Sequence, residues 1–221
     1  MAFDFTLLDT QDDGGSYNKI WGDGVYIYAA CGSDGLRAYG FDGTNLILLA
    51  THDDGGSYRG VWGDGTYIYA ACREDGIRAY TFNGTTFTLL ATRDDGDNYL
   101  DVWSDGTYIY VAIADGTYPY PGYMYVYTFD GATFTLLDTS DPLYQQYSGV
   151  WGDGTYIYAA CSQGGIRAFS FDGSSLTLLD TQMDGDYYRS VWGDGTYIYV
   201  ACDDHGIRAY TFNGTSFTLV T

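Results

Sequence analysis

Val61-Trp62-Gly63-Asp64-Gly65-Thr66-Tyr67-Ile68-Tyr69 is one of five near-copies of a phrase whose tryptophans stand at Trp21, Trp62, Trp103, Trp151 and Trp192. The intervals between them are 41, 41, 48 and 41 residues. A fixed period of roughly 40 residues marks a repeat architecture, in which one supersecondary unit buries its faces only against its neighbours.

The unit reads as four strands. Tyr58 to Gly63 is a short strand, Asp64-Gly65 a two-residue turn, and Thr66 to Cys72 a second strand rich in residues that suit a pleated sheet. After the polar loop Arg73 to Gly76, Ile77 to Phe82 form a third strand, Asn83-Gly84 a second tight turn, and Thr86 to Leu90 a fourth. Asp-Gly and Asn-Gly pairs are strong hairpin signals because both central residues of a type I′ turn need positive φ. They recur at matching offsets, as Asp23-Gly24, Asp105-Gly106, Asp153-Gly154 and Asp194-Gly195 in the first hairpin. In the second they recur as Asp42-Gly43, Asp130-Gly131, Asp172-Gly173 and Asn213-Gly214. No helical periodicity interrupts them. The reading is all-β: a five-bladed β-propeller of four-stranded antiparallel blades, each about 41 residues, making one domain over residues 1–221.

The composition fits that scaffold. Glu74 is the only glutamate among 29 acidic residues, so the net charge of −20 is built from aspartate, the turn-forming acid. A charge of that sign also opposes non-specific binding to nucleic acid or to an anionic membrane. Cys31, Cys72, Cys161 and Cys202 share one repeat position, replaced by Ile113 in the third unit. Equivalent positions lie one repeat apart, too far for disulfides, so the thiols read as small buried hydrophobes. The start Met1-Ala2-Phe3-Asp4-Phe5 shows no signal-peptide pattern, and no apolar run is long enough for a membrane span.

The third strands read Gly35-Leu36-Arg37-Ala38-Tyr39, Gly76-Ile77-Arg78-Ala79-Tyr80 and Gly206-Ile207-Arg208-Ala209-Tyr210. This segment resembles the G-L-R-x-x-D stretch of LVIVD repeats, and the whole unit resembles propeller repeats of the WD40 and LVIVD kind. The resemblance implies the propeller fold. For LVIVD-type repeats it also implies extracellular or cell-surface proteins without known catalysis.

A sixth copy of the fourth strand, at residues 3–10, precedes the first blade. A ring of five blades needs five such strands, so one terminal copy closes the ring. The other either lies beside it or adds to an edge on another molecule.

Catalytic chemistry has little support in the sequence, and no catalytic residue is expected. His52 and His205 are the only histidines, and neither sits in a triad-like or metal-ligand pattern. The Asp12–Gly15, Asp53–Gly56 and Asp94–Asp97 loops offer oxygen donors that admit a structural calcium, but the EF-hand spacing is absent and turn capping is the favoured reading. No other cofactor or metal is expected. Arg37, Arg78, Arg167 and Arg208 repeat, with Tyr125 at the same place in the third unit. Pairing with the Asp loops is the favoured reading, and a ring of arginines around an anion the alternative.

Symmetry breaks around the third blade, where six residues are added between its second and third strands and where all three prolines fall nearby. Tyr118, Tyr120 and Tyr123 of that insertion, with Tyr144, Gln145 and Gln146 of the next inter-blade loop, form the candidate binding site. The expected function is a non-catalytic structural or interaction module. It would belong to an extracellular or virion assembly, self-associating through the surplus strand, though a cytoplasmic location is also compatible. Its partner is a protein or a second copy, or else a glycan. The alternatives are a lectin-like carbohydrate-binding propeller and, further off, a glycoside hydrolase with two carboxylates.

Overall fold

The computed structural model describes residues 6–114, 121–142 and 145–220, and every regular element among them is a β-strand. Blade one holds β1 (Lys19–Gly22), β2 (Ile27–Ala30), β3 (Leu36–Phe41) and β4 (Leu46–His52). Blade two holds β5 (Gly60–Gly63), β6 (Ile68–Ala71), β7 (Ile77–Phe82) and β8 (Phe87–Arg93). Blade three holds β9 (Asn98–Ser104), β10 (Ile109–Ala114), β11 (Gly122–Phe129) and β12 (Phe134–Thr139). Blade four holds β13 (Gly149–Gly152), β14 (Ile157–Ala160), β15 (Ile166–Phe171) and β16 (Leu176–Gln182). Blade five holds β17 (Tyr188–Gly193), β18 (Ile198–Cys202), β19 (Gly206–Phe212) and β20 (Phe217–Leu219). Each is an antiparallel meander in chain order, giving the five-bladed, propeller-like fold the repeat predicts.

The turns explain the aspartates. Asp64 Oδ1 accepts the N–H groups of Thr66 and Tyr67, while its Oδ2 accepts the Tyr69 hydroxyl. Gly65 follows at φ +91°, as the turn demands. Asp194 repeats the arrangement, and the N–H groups of Tyr197 and Thr196 hold its carboxyl below the usual carboxylate range. In the inter-blade loops Asp53 caps the Gly55 N–H, and Asp94 caps that of Gly96. Much of the negative charge is therefore turn chemistry.

Consecutive blades meet through a contact repeated along the chain. Inner strands lie side by side, β1 on β5, β5 on β9, β9 on β13 and β13 on β17. The Trp21 ring lies over Gly63, Trp103 over Gly152 and Trp151 over Gly193, so close that a Cβ on any of these glycines would stand 2.5 Å from ring carbon. The hydroxyls of Tyr26, Tyr67, Tyr108 and Tyr156 reach the second-hairpin glycines of the following blades, Gly84, Gly131, Gly173 and Gly214. Backbone bridges Gly32–Tyr58, Arg73–Tyr99 and Ser162–Tyr188 stitch blade to blade. The buried, free cysteines sit in this layer, and burial pushes the Cys72 and Cys161 thiols up to about 12.

The repeated arginines are also part of the scaffold. Arg78 donates to the carbonyls of Gly55 and Asp54 and to the Tyr58 hydroxyl, and Arg37 makes the same set with Gly14, Asp13 and Tyr17. Carboxylates stand further off, at 3.8 Å for Arg37 and 3.5–3.6 Å for Arg208. Carbonyl and hydroxyl partners thus outrank the expected Asp pairing. Each guanidinium is locked between loop and blade instead of pointing into a shared pocket.

The series of inner-strand contacts has no comparable β17–β1 member. Tyr58, Tyr99, Tyr147 and Tyr188 are fully buried, but Tyr17 at the same repeat position is 40% exposed. Trp192 is 55% exposed, against 6% for Trp103. The arc is open between blade five and blade one, so neither terminal strand closes a ring. β20 completes blade five by pairing with β19. Residues 6–10 of the surplus copy form no ladder, yet Asp9 accepts the Leu46 N–H just as Asp138 accepts that of Leu176 and Asp180 that of Phe217. The N-terminal segment therefore occupies the outer-strand place of a blade that would precede blade one. Residues 3–5 of this copy lie outside the described residues.

Candidate functional site

Where the inner strands begin, the concave side of the arc encloses a cavity of about 480 Å³. Two positions just before the V-W-G, or its variant in each blade, supply most of the cavity lining. They are Asn18-Lys19, Arg59-Gly60, Leu100-Asp101, Ser148-Gly149 and Arg189-Ser190 in the five blades. The V-W-G that follows is unchanged in three of the five repeats and differs by one residue in the other two, whereas these pairs differ in every blade.

Lys19, Arg59, Arg73 and Arg189 converge here, four of the nine basic residues in a chain of net charge −20. Asp101 is the carboxylate lining the cavity. It is 4% exposed, takes the Lys19 ammonium at 2.6 Å, and accepts the N–H groups of Val102 and Val150. Its oxygens are occupied, so it fixes Lys19 across the cavity from blade one to blade three. Arg189 is held by Asp203 at 2.5–2.8 Å and lies over the Tyr187 ring.

Arg59 and Arg73 differ from these. Among the described residues no carboxylate lies within ion-pair distance of either, and the buried Nε of Arg59 has no hydrogen-bond partner. Burial, and then the neighbouring Arg73 charge, depresses the Arg59 guanidinium below its ordinary value. Arg73 sits at φ +47°, where blade one has Gly32, and is pinned there by two backbone hydrogen bonds to Tyr99. Ser162 at the same repeat position stands at φ +39°, so the left-handed backbone is a feature of the repeat that here presents an arginine. Two adjacent, uncompensated cations in a concave site are arranged to take an anion.

At the opposite end of the axis a second cavity, about 620 Å³, is lined by Trp103, Trp151, Trp192 and the Asp-Gly turns. Its carboxylates already serve as turn acceptors, as at Asp194.

Of the six residues expected from sequence, Tyr118, Tyr120 and Tyr144 lie outside the described residues. Gln146 lines the cationic cavity. Gln145 lends its backbone, its carbonyl lying 2.3 Å from where a Cβ on Gly122 would be, so the insertion and the next inter-blade loop are neighbours. Tyr123 packs on the blade-three core and stacks with Tyr125. Among the described residues no group of three or more His, Cys, Asp or Glu is placed to hold a metal ion. Sequence reasoning missed the arginines at 59, 73 and 189. For Arg59 and Arg189 the signal was variation at inner-strand positions, and for Arg73 variation in the loop after the second strand.

No protein-family model and no curated protein sequence matches the chain. Solved structures do. A candidate 6-phosphogluconolactonase from Bacteroides fragilis is 18% identical with a TM-score of 0.70, and one from Bacteroides uniformis is 16% identical with a TM-score of 0.74. Each match covers 91% of this chain and 68% of the other. The computationally designed Ika8 protein, at 9% identity and a TM-score of 0.66, is matched over 88% of this chain and 58% of its own. These likenesses show the fold and leave the WD40 and LVIVD resemblance at the level of a propeller-like architecture.

They also correct the functional expectation. Two similar structures bear the name of a hydrolase, so a propeller-like scaffold of regular blades is no ground for a non-catalytic module. The expectation of a non-catalytic module that self-associates through the surplus strand, and its lectin-like alternative, are therefore set aside. The physical error lay in equating regular blades with an inert axis, whereas the axis-facing pairs differ from blade to blade.

Proposed function

We propose that the chain binds a small phosphorylated sugar acid or lactone in the cationic cavity and hydrolyses the lactone. The observation that carries this reading is the Arg59–Arg73 pair, without a carboxylate partner and with Arg59 partly desolvated, beside a cavity large enough for such a ligand. The names of the two Bacteroides proteins supply the substrate class. Arg59 and Arg73 would hold the phosphate, whose oxygens satisfy the orphaned Nε. Water adds to the lactone carbonyl, the ring acyl C–O bond breaks with its oxygen leaving as a hydroxyl, and the resulting acid loses its proton to solvent, so negative charge grows along the reaction. Fixed cations already in place, with Lys19 held by Asp101, stabilise that growing charge more than the ground state.

The test is calorimetric titration with 6-phosphogluconate, alongside pH-stat hydrolysis of the lactone. Arg59→Ser and Arg73→Gly use residues already present at equivalent repeat positions, Ser148 and Gly32, so the fold is preserved. Loss of one charge-assisted contact, about 1.5–3 kcal/mol, should weaken binding roughly 10- to 150-fold. Wild-type protein that shows no binding at millimolar ligand, or variants that bind equally well, would overturn the site. Binding without turnover would overturn the hydrolysis alone.

A further inference from the structure

The open arc ends in two faces that are halves of one contact. On the blade-five side, Ile207 is 76% exposed although Leu36, Ile77 and Ile166 at its repeat position are fully buried. Trp192 and Tyr197 stand exposed beside it. On the blade-one side, Ile20 is 65% exposed, whereas Val61 and Val102 at its position are fully buried. Gly22 and Gly43, the counterparts of the glycines that receive Trp and Tyr inside the chain, have no ring near them.

We infer that blade one of a second copy of this chain docks on blade five, Trp192 covering the partner's Gly22 and Tyr197 reaching the partner's Gly43. The occupant is specified by continuity with the contact inside the chain. Blades one to five already make this interface four times: Tyr meets Gly in all four, and Trp meets Gly in three, with Trp62 donating to the Ser104 carbonyl in the other. Among the described residues the exposed ends carry the two unmatched halves. Because the two faces differ, the contact is heterologous, and its rotation decides whether copies form a pair, a closed ring or a rising filament.

The docked blade five would bring its β20 to the place where residues 6–9 of the partner now lie, so one of these segments must move aside. The blade faces carry the contact and the terminal segment does not. The inference is independent of the anion site, whose arginines lie on the concave side.

Light scattering coupled to size exclusion, over a range of concentrations, tests it. The wild-type chain should show masses at multiples of 24.4 kDa, and removal of residues 1–10 should leave association intact. Ile20→Asp and Ile207→Asp each place a charge on one exposed face, with little effect on the isolated fold, which circular dichroism would verify. Each variant alone should be monomeric. Their mixture should form a heterodimer and nothing larger, since one intact pair of faces remains. A monomeric wild type, association that survives both substitutions, loss on trimming residues 1–10, or loss without rescue by mixing would each overturn the proposal.

Discussion

Alanine at Gly152 and at Gly22 is the same substitution at the same repeat position, with opposite expected results. A Cβ on Gly152 would stand 2.5 Å from Trp103 Cη2, 2.6 Å from Cζ3 and 2.9 Å from the Tyr156 carbonyl oxygen. Carbon atoms rest at about 3.5–4.0 Å, so the overlap is about 1 Å on two ring atoms together. The ring has little freedom to swing away. Trp103 is 6% exposed and stacks on Tyr110 at 5.5 Å. Overpacking a close-packed layer costs about 1–3 kcal/mol, and the backbone oxygen on the other side places Gly152→Ala at the upper end, about 2–3 kcal/mol. For a chain of this length that is a fall in Tm of about 4–12 °C. At Gly22 the nearest atom is the Tyr26 carbonyl oxygen at 3.3 Å and no ring is present, so Gly22→Ala should change stability by no more than about 0.5 kcal/mol. Urea unfolding followed by tryptophan fluorescence at low micromolar protein, below any association, compares the two midpoints directly. Equal loss at both sites would mean that Trp192 covers Gly22 within one chain and that the arc is closed. No loss at Gly152 would mean that the Trp–Gly contact is loose and does not hold blades together.

Arg73→Gly should leave the urea midpoint within about 1 kcal/mol of wild type, because the strained backbone is relieved as the side chain is lost, while anion affinity falls. A large loss of stability would show that Arg73 serves the fold. Tyr80→Phe removes a hydroxyl bonded to Tyr58 at 2.8 Å and to Asp54 at 3.1 Å, and should cost about 1–2 kcal/mol in the same assay; a neutral result would empty that network of energetic meaning. High pH should be destabilising: burial, then the Tyr58 hydrogen bond, raises Tyr80, and burial likewise raises Tyr127. A raised group contributes stability that is complete below its unfolded value, about 10 for tyrosine, and is lost as pH climbs beyond it. The urea midpoint should therefore hold to about pH 10 and then fall, and a flat profile to pH 11.5 would contradict the burial of these hydroxyls. Cys72 and Cys161, buried with thiols raised to about 12, should resist iodoacetamide at pH 8 until urea unfolds the chain; prompt labelling of native protein would refute their packing.

What the sequence made legible was whatever depends on local chemistry. The Asp-Gly turns fixed the blade count, and the strand Ile77–Phe82 has the bounds that the pattern predicts. The fourth strand runs on to Arg93, beyond the expected Leu90, because its end is set by pairing with β7 and not by a turn residue of its own. Illegible was whatever depends on the next blade being there. Ile20 reads like Val61, and Tyr17 reads like Tyr58, yet one of each pair faces solvent and the other is fully buried. A repeat looks the same from within whether or not the series closes. The same blindness hid the site. Strand periodicity says that Arg59 and Arg189 differ from Ser148 and Leu100, but only the side-by-side packing of the inner strands turns those four positions toward one axis. Arg73 comes from another strand end altogether, at a loop position occupied by Gly32, Ser162 and Asp203 in other blades. The regular part of each repeat therefore carries the packing and the irregular part the chemistry. The two can vary separately because the Trp–Gly contact that builds the arc lies at the far end of the inner strands, while the cations sit where those strands begin.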